Sequence, residues 1–479
     1  MEVHVIDHII SHVTNNSLFR EVSELSVKMN MPAFVVGGYV RDLVMDRQTK
    51  DIDIVVVGDG ISFAEELCKH LKGNTKLSLF KNFGTANIKF RDIEIEIVGA
   101  RKESYSKESR NPVVEKGSLF DDISRRDFTI NTLALSLAPE NYGTILDYYN
   151  GFTHIAQKII STPLEPLITF SDDPLRMLRA VRFASVLGFN LTPEVFQSLK
   201  ANNNRLEIIS IERITDELNK IILSDKPSSG FLLLDQTGLL NIILPEFVAL
   251  KGTETVENKS HKDNFYHTLE VLDNVAQVSD NLWLRWTAIL HDIGKPATKL
   301  YVADQGWTFH GHEFVGGKMV YDIFKRLKLP LNEHMKYVKK LVYLHLRPTA
   351  LTKEEVTDSA IRRLIVDAGD VMDDLILICK ADITSKNADR VKTYLKRFEN
   401  VMLKIREVEE KDKLRNWKNP ITGEIIMEAF DLKPSKEIGL IKEAIKEAIM
   451  EGVIHNDFDE SFKYMLKLGK EYGFKPVKE

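Results

Sequence analysis

Strand-like segments stop early in this chain, and that most limits how it can fold. Phe34–Val36, Ile52–Val57, Ala86–Phe90 and Ile93–Val98 are short, rich in β-branched residues and separated by turn residues. After about Leu146 apolar residues recur at helical spacing almost to the end. The switch predicts an α+β class: a mixed-sheet head with helices, followed by a mostly α-helical body. A chain of 479 residues also exceeds one ordinary domain. Turn-rich stretches at Ser224–Gly230 and Leu250–His261 mark joints in the body. Four regions are expected: a head at 1–147, a helical neck and body at 148–255, a histidine-rich domain at 256–385 and a helical tail at 386–479.

The net charge of −5 gives no global sign of a nucleic-acid partner, so any such contact must come from local basic patches. Lys380–Lys418, with twelve Lys/Arg against seven Asp/Glu, is one candidate, and Trp417 within it offers a ring for stacking. A solvated amphipathic helix is an equal reading of that stretch. Two cysteines, Cys68 and Cys379, argue against a disulfide scaffold and for a reducing compartment. With no apolar leader and no membrane-length apolar run, a cytoplasmic protein is expected.

Asp51-Ile-Asp53 opens an apolar strand, and residues two apart on a strand project to one side. Two carboxylates so placed are costly without a cation, and hard Mg²⁺ suits them. A lone pair of this kind is common on surfaces. Upstream, however, Gly37-Gly38 ends a strand and Tyr39-Val40-Arg41-Asp42 opens a helix. Glycines there let backbone N–H groups approach phosphate oxygens, and Arg41 is placed to add positive charge on a triphosphate. Ile93–Val98 alternates, so Glu94 and Glu96 share one strand face, either as further acids of the site or as an ordinary exposed edge.

Phe34-Val-Val-Gly-Gly-Tyr-Val-Arg-Asp42 with Lys50-Asp-Ile-Asp-Ile54 resembles the first motif of class II CCA-adding enzymes and bacterial poly(A) polymerases, which are polymerase-β-like nucleotidyltransferases. The resemblance implies that 1–147 is a nucleotidyltransferase head and that Asp51, Asp53 and Glu96 are catalytic, with Asp51 and Asp53 holding Mg²⁺. Glu96 and Arg101 best match the family's Glu strand and the Arg that follows it. Asn82-Phe-Gly-Thr85 resembles the family's FGT loop, and Ser124-Arg-Arg-Asp-Phe-Thr-Ile-Asn131 its second motif. Arg126 and Asp127 would then meet the incoming nucleotide, the arginine at phosphate and the aspartate at ribose, alongside Gly37, Gly38 and Arg41.

Asp173 and Arg176 are three apart at the start of a helix, on one face, with Pro174 suited to the first turn. A carboxylate only accepts hydrogen bonds and a guanidinium only donates them. Together they complement an amino donor beside a ring-nitrogen acceptor, the edge shown by cytosine and adenine but reversed in guanine and uracil. The competing reading is an ordinary i,i+3 salt bridge. The resemblance implies the first, because class II enzymes use an Asp-x-x-Arg pair as a protein template; Arg179 would continue the same face toward phosphate. The family usually has Glu before that Asp, and here the residue is Asp172. Ile211–Lys220 resembles the family's ER…EL.K neck helix, read as structural. Leu432–Gly439 resembles a segment near the C-terminus of HD-containing members.

Seven of the thirteen histidines fall between His261 and His345. His267 lies on one expected helix and His291-Asp292 ends the next, Leu282–Leu290. The order His267…His291-Asp292…Asp382 resembles HD-domain phosphohydrolases, with His312 and His345 at positions that hold a second metal in some of them. Mixed imidazole and carboxylate donors suit Mn, Ni, Fe or Zn. The resemblance implies phosphomonoesterase or cyclic phosphodiesterase activity, or an architectural domain that has lost it.

The function expected from these resemblances is template-independent addition of CCA to tRNA 3′ ends from CTP and ATP, with tRNA as partner and neither DNA template nor membrane involved. A poly(A) polymerase and a partial CC- or A-adding enzyme use the same core. An HD-type RNA phosphohydrolase with a non-catalytic RNA-binding head is the rival from another class.

Overall fold

The computed structural model describes residues 9, 11–71, 73–81, 84–106, 109–256, 259–352, 357–384, 387–412 and 417–477. Asn82 and Phe83 of the expected FGT turn lie outside them, as does Lys386 in the basic stretch. The chain divides into two compact units, Met1–Ile243 and Leu244–Glu479.

The first unit is built on a seven-stranded mixed sheet whose strands are β1 (Ala33–Val36), β2 (Asp51–Val56), β3 (Thr75–Phe80), β4 (Thr85–Phe90), β5 (Ile93–Gly99), β8 (Ala134–Ser136) and β9 (Ile145–Leu146), in the order β3-β4-β5-β2-β1-β8-β9. Strands β6 (Arg101–Ser106) and β7 (Ser109–Lys116) form a separate antiparallel hairpin. Only β2 and β5 run parallel in the large sheet. That pairing needs a crossover, and helix Gly60–His70 with the β3-β4 hairpin supplies it. Alternation sorts the faces: Ile52 and Ile54 are buried while Asp51 and Asp53 project to the other side. Phe34, Val36, Val55, Ile123 and Ala134 join in one core cluster beneath the sheet. Ser118 caps helix Leu119–Ser124 through a reciprocal capping box with Asp121, and so fixes where Arg125 and Arg126 emerge.

Helix Leu175–Leu187 follows the short helix Pro166–Asp172, and Asp173 lies at the break between them. Its buried residues, Met177, Leu178, Val181 and Ala184 among them, recur at helical spacing, which leaves Arg176 and Arg179 on another side. Helix Ile211–Ile222, the expected neck element, turns Glu217 inward; that carboxylate is 4% exposed and takes Arg182 at 3.0 Å and Lys220 at 3.0 Å.

The second unit is helical. Helices Asn264–Ala276 and Leu282–Leu290 begin on side-chain caps from Asp263 and Asn281. Helices His312–Arg326, Glu333–Leu344 and Met372–Ala381 complete the histidine-rich part around buried Phe265, Trp286, Phe324 and Leu341. The basic stretch becomes one 25-residue helix, Ala388–Asp412, with Phe398, Val401, Ile405 and Val408 buried along one stripe. Trp417 is part-buried and donates its indole N–H to Asn456 Oδ1 at 2.9 Å. No helix among the described residues is long and apolar enough to cross a membrane.

Candidate functional site

Parallel pairing of β2 with β5 sets Asp51 opposite Glu94 and Asp53 opposite Glu96. The register therefore carries the acids of two separate sequence segments onto one patch. Glu94 lies within 3.5 Å of Lys89 on the next strand, whereas Glu96 has Asp53 as its charged neighbour. Burial lifts the Asp53 carboxyl above the usual carboxylate range and Asp51 adds to the rise, against the pull of Arg126, Arg179 and Arg41. Burial and the Asp53 charge raise Glu96 in the same way. Charged carboxylates made costly by one another fit a hard divalent cation, which would lower both.

Gly37 bounds this patch. Its φ is +75°, and a Cβ there would sit 2.9 Å from Arg126 Nη1 and 3.1 Å from Asp53 Oδ2. The glycine is thus the gap through which an arginine of the second motif reaches a carboxylate of the first. Arg126 is anchored behind by Asp122, which is fully buried and also takes Arg125.

Two adjoining cavities, of about 280 and 550 Å³, share Asp53, Glu96, Arg126, Asp127 and Arg179 as lining. The smaller adds Arg101, Asp173 and Arg176; the larger adds Gly37, Gly38, Arg41 and Asp51. Every residue expected at the head site therefore lines one continuous cleft. Asp173 and Arg176 do not pair with each other. The Asp173 carboxylate accepts from Leu175 N at 3.2 Å, and Arg176 donates to the Arg125 carbonyl at 2.7 Å. Each side chain keeps further hydrogen-bonding capacity toward the cleft.

Other expected residues are bound up among themselves. Arg41, 8% exposed, forks onto Asp42 with two bonds of 2.9 Å and donates to Asn131 at 2.8 Å. Its charge is largely met inside the protein, while the residue still lines the cleft. Burial alone would raise the Asp127 carboxyl, but Arg179, Asn131 and Arg176 overcome it and hold it at about 2. The Arg179–Asp127 contact is 2.6 Å. Phe183, which the sequence reading passed over, has the guanidinium carbons of Arg41, Arg179 and Arg182 at 5.1, 5.5 and 4.3 Å from its ring centre. Its spacing of seven and four from Arg176 and Arg179 was the available signal.

A second cluster lies in the other unit. His267, His291 and Asp292 bring ligand atoms within 4.8 Å of one another, and so do Asp292, His312 and His345; all five residues are buried. Asp292 belongs to both groups and divides its oxygens between them. Its Oδ2 faces His267 at 3.6 Å and His291 at 3.3 Å, and its Oδ1 faces His312 at 3.2 Å and His345 at 3.8 Å. Asp382 approaches His267 at 2.7 Å and His291 at 3.7 Å. The exposed His310 is not part of either group.

Helix ends position most of these ligands: His291-Asp292, His345 and Asp382 each follow a helix, and His312 begins one. Gly294 lets the turn after Asp292 lie against the next ligand, since a Cβ there would sit 2.2 Å from the His312 carbonyl oxygen. The Nδ1 atoms of His291, His312 and His345 lie 2.7–2.8 Å from the carbonyls of Ala288, Phe309 and Val342. A carbonyl only accepts, so Nδ1 carries a proton and Nε2 faces the cluster, where it can take a second proton or, in the neutral ring, a metal. His291 Nε2 is buried without a hydrogen-bond partner, the atom most in need of a cation. Burial alone would lower the His291 imidazole, yet Asp292 and Asp382 lift it to about 10; burial and the His291 charge push His345 down to about 4. These donors fit divalent metal, with Asp292 able to bridge two ions. Sequence reasoning missed Lys295, 2.5 Å from Asp292, and Lys262, which meets both His267 Nδ1 and Thr384.

Comparison with known proteins matches three consecutive family models: the poly A polymerase head domain at 33–161, the probable RNA and SrmB-binding site of polymerase A at 188–250, and the HD domain at 264–375. Asp382 lies seven residues beyond the last. An A-adding tRNA nucleotidyltransferase of Geobacter sulfurreducens is 32% identical over 58% of this chain, but the match spans only 32% of that longer protein. The solved structure of a CCA-adding enzyme in complex with CTP shares the fold at a TM-score of 0.63 and 21% identity, covering 97% of this chain and 98% of that one. An A-adding tRNA nucleotidyltransferase of Deinococcus radiodurans is 30% identical, over 69% of this chain and 75% of its own length. The carboxylate patch and Gly37 fall inside the head-domain match, and His267, His291, Asp292, His312 and His345 inside the HD match; the chain belongs to the tRNA nucleotidyltransferase and poly(A) polymerase family, in its HD-domain-bearing form.

Proposed function

We propose that this protein adds C, C and A to the 3′ end of tRNA from CTP and ATP without a nucleic-acid template. The observation that carries this reading is the shared cleft of Asp173 and Arg176 with Asp53 and Glu96. Base recognition and phosphate chemistry then occur within one nucleotide's reach. Asp173 accepts from the exocyclic amino group of cytosine or adenine while Arg176 donates to the ring nitrogen beside it. Guanine and uracil leave both side chains facing like groups, a mismatch that can cost orders of magnitude in rate.

In this reading Asp51, Asp53 and Glu96 hold Mg²⁺, which when bound neutralises triphosphate charge and favours the ionised 3′ hydroxyl. Arg126 and Asp53 both face the space above Gly37, where Arg126 would meet the α-phosphate as it is attacked in line. Asp127, held ionised at about 2, accepts from a ribose hydroxyl or keeps Arg179 aimed into the cleft. Asp172 is half-buried; burial raises its carboxyl and the charges of Arg176 and Arg205 draw it down, so it steadies Arg176 electrostatically.

The HD cluster we assign to hydrolysis of phosphomonoesters or 2′,3′-cyclic phosphates at RNA ends, with Mn, Ni, Fe or Zn on the histidine and aspartate donors. Asp53→Ala should abolish nucleotide addition and leave this hydrolysis intact; a joint loss would refute two independent metal sites.

A second reading, addition of A alone, is favoured by the names of the Geobacter and Deinococcus relatives. One assay separates them. Purified protein receives tRNA lacking its CCA end, and in parallel tRNA ending in CC, with CTP and ATP singly and together. Two C residues followed by one A support full CCA addition. Activity only on the CC-ended tRNA supports the A-adding reading, and long A tails a poly(A) polymerase.

A further inference from the structure

Helices His312–Arg326 and Glu333–Leu344 pack side by side and carry two pairs of rings at the same end. The inner pair is His312 and His345, buried in the metal cluster. The outer pair is Phe314 and Tyr343, which are 51% and 41% exposed with ring centres 6.3 Å apart. Each outer ring is two residues from an inner one, and positions two apart on a helix point to nearly opposite sides. Phe314 and Tyr343 therefore serve neither the core nor the metal ligands.

These rings line a groove of about 410 Å³ with Lys318, Lys336, Lys339 and Lys340, and no carboxylate is among its lining residues. Such a concentration of positive charge stands out in a chain of net charge −5. Lys318 Nζ lies 4.2 Å from the centre of the Phe314 ring, and Arg347 Cζ lies 5.7 Å from that of Tyr343. Lys336 is paired with Glu333 at 2.7 Å, but both are well exposed and such a pair yields readily to a stronger anion. The volume suits one nucleotide unit.

We propose that this groove binds single-stranded RNA, with one unstacked base against Phe314 and Tyr343 and the adjoining phosphates on the four lysines. Exposed aromatic faces between lysines match the two chemistries of a single strand, base π-faces and backbone charge. A protein partner with an acidic surface would use the lysines and leave the rings without a role. A duplex would offer phosphates but no free base. The proposal rests on the tRNA reading above only for the class of ligand, since the groove lies in the second unit and uses no residue of the nucleotidyltransfer cleft.

The test uses the full chain and a fluorescent oligoadenylate of about eight nucleotides, followed by anisotropy. Phe314→Ala with Tyr343→Ala should weaken binding about tenfold, while Phe314→Tyr with Tyr343→Phe, which keeps both rings, should bind as the parent does. Lys339→Ala with Lys340→Ala should weaken binding and flatten its salt dependence by about 0.7 in log–log slope per lysine. Crosslinking with a 5-iodouridine oligonucleotide locates the strand, because the first unit also takes an RNA end. Adducts on the peptides of Phe314 or Tyr343 support the proposal; adducts confined to 1–243 overturn it. Unchanged binding without the rings also overturns it, leaving at most a charge-only surface. Ring-dependent binding in a protein that adds no nucleotide to any tRNA would leave this groove standing and remove the catalytic reading instead.

Discussion

Replacing Gly37 with Ala tests the geometry of the head cleft at its narrowest point. The backbone there has φ +75°, a region that costs a residue with a Cβ about 1–3 kcal/mol. The added carbon would also press on Arg126 Nη1 from 2.9 Å and on Asp53 Oδ2 from 3.1 Å. Arg126 can swing aside, so the steric part appears less as lost stability than as displaced catalytic groups. A backbone cost of about 2 kcal/mol predicts a fall in Tm of about 4–8 °C for a unit of this size. Moving Arg126 or Asp53 by about 1 Å predicts a loss in kcat/KM for nucleotide addition on the order of 10²-fold. Gly143→Ala is the control: its φ is +81°, but nothing lies within 4 Å of its added Cβ. It should lower Tm by a similar amount and leave the rate nearly unchanged. Thermal melts and single-turnover addition of labelled nucleotide to tRNA measure both. Near-normal rate in Gly37→Ala, or an equal rate loss in Gly143→Ala, would refute the idea that the glycine holds the gap between motifs.

Exchanging the proposed template pair, Asp173→Arg with Arg176→Asp, should move nucleotide preference from CTP and ATP toward UTP and GTP in competition assays; an unchanged preference at reduced rate would show that the pair only positions the helix. If the HD cluster holds two ions, Asp292→Asn should remove both, because that carboxylate faces both histidine groups, whereas His345→Ala should remove one. Metal content per chain by mass spectrometry reads the difference, and full occupancy in Asp292→Asn would end the bridging assignment. Asp127→Asn should cost about 2 kcal/mol at neutral pH, because the folded carboxyl sits at about 2 against an unfolded value of 3.8. A depressed carboxyl stabilises fully above the unfolded value and loses that contribution as pH falls toward the folded one. The gap in unfolding free energy between parent and variant should therefore close between pH 4 and pH 2; a gap constant over that range would contradict the assignment.

The residue types and local spacings of both sites were legible because each depends on a short-range rule. Asp51 and Asp53 share a face through strand alternation, and the helix bearing His267 and the one that ends at His291 followed from apolar spacing. What lay out of reach was set by register. Strand alternation left Glu94 and Glu96 equal and only the resemblance favoured Glu96; that it stands opposite Asp53 depends on the parallel pairing of β2 with β5, which strand content does not encode. Strand β3 and the β6-β7 hairpin were missed for a related reason: Ser, Lys, Arg and Glu break up their apolar runs, so the strand signal in the sequence is weak. Arg41 illustrates a third limit. Its place after the glycine turn suggested a phosphate ligand, but Asp42 is adjacent, Asn131 arrives from ninety residues away and Phe183 closes above it. Only the fold reveals that its charge is already met.

That internal pairing bears on how the cleft works. If Arg41 and Arg179 were both unpaired, the empty cleft would carry a strong positive charge and would hold phosphate irrespective of the base. Asp42 and Asp127 pair with them, and Asp122 partly neutralises Arg126, so much of the arginine charge lining the cleft is already met. In the proposed reading, triphosphate binding would then depend on a metal held by Asp51, Asp53 and Glu96, while the groups left with spare hydrogen-bonding capacity, Asp173 and Arg176, would respond to the base. An enzyme that selects nucleotides without a template needs that division, because binding energy spent uniformly on phosphate cannot discriminate between bases.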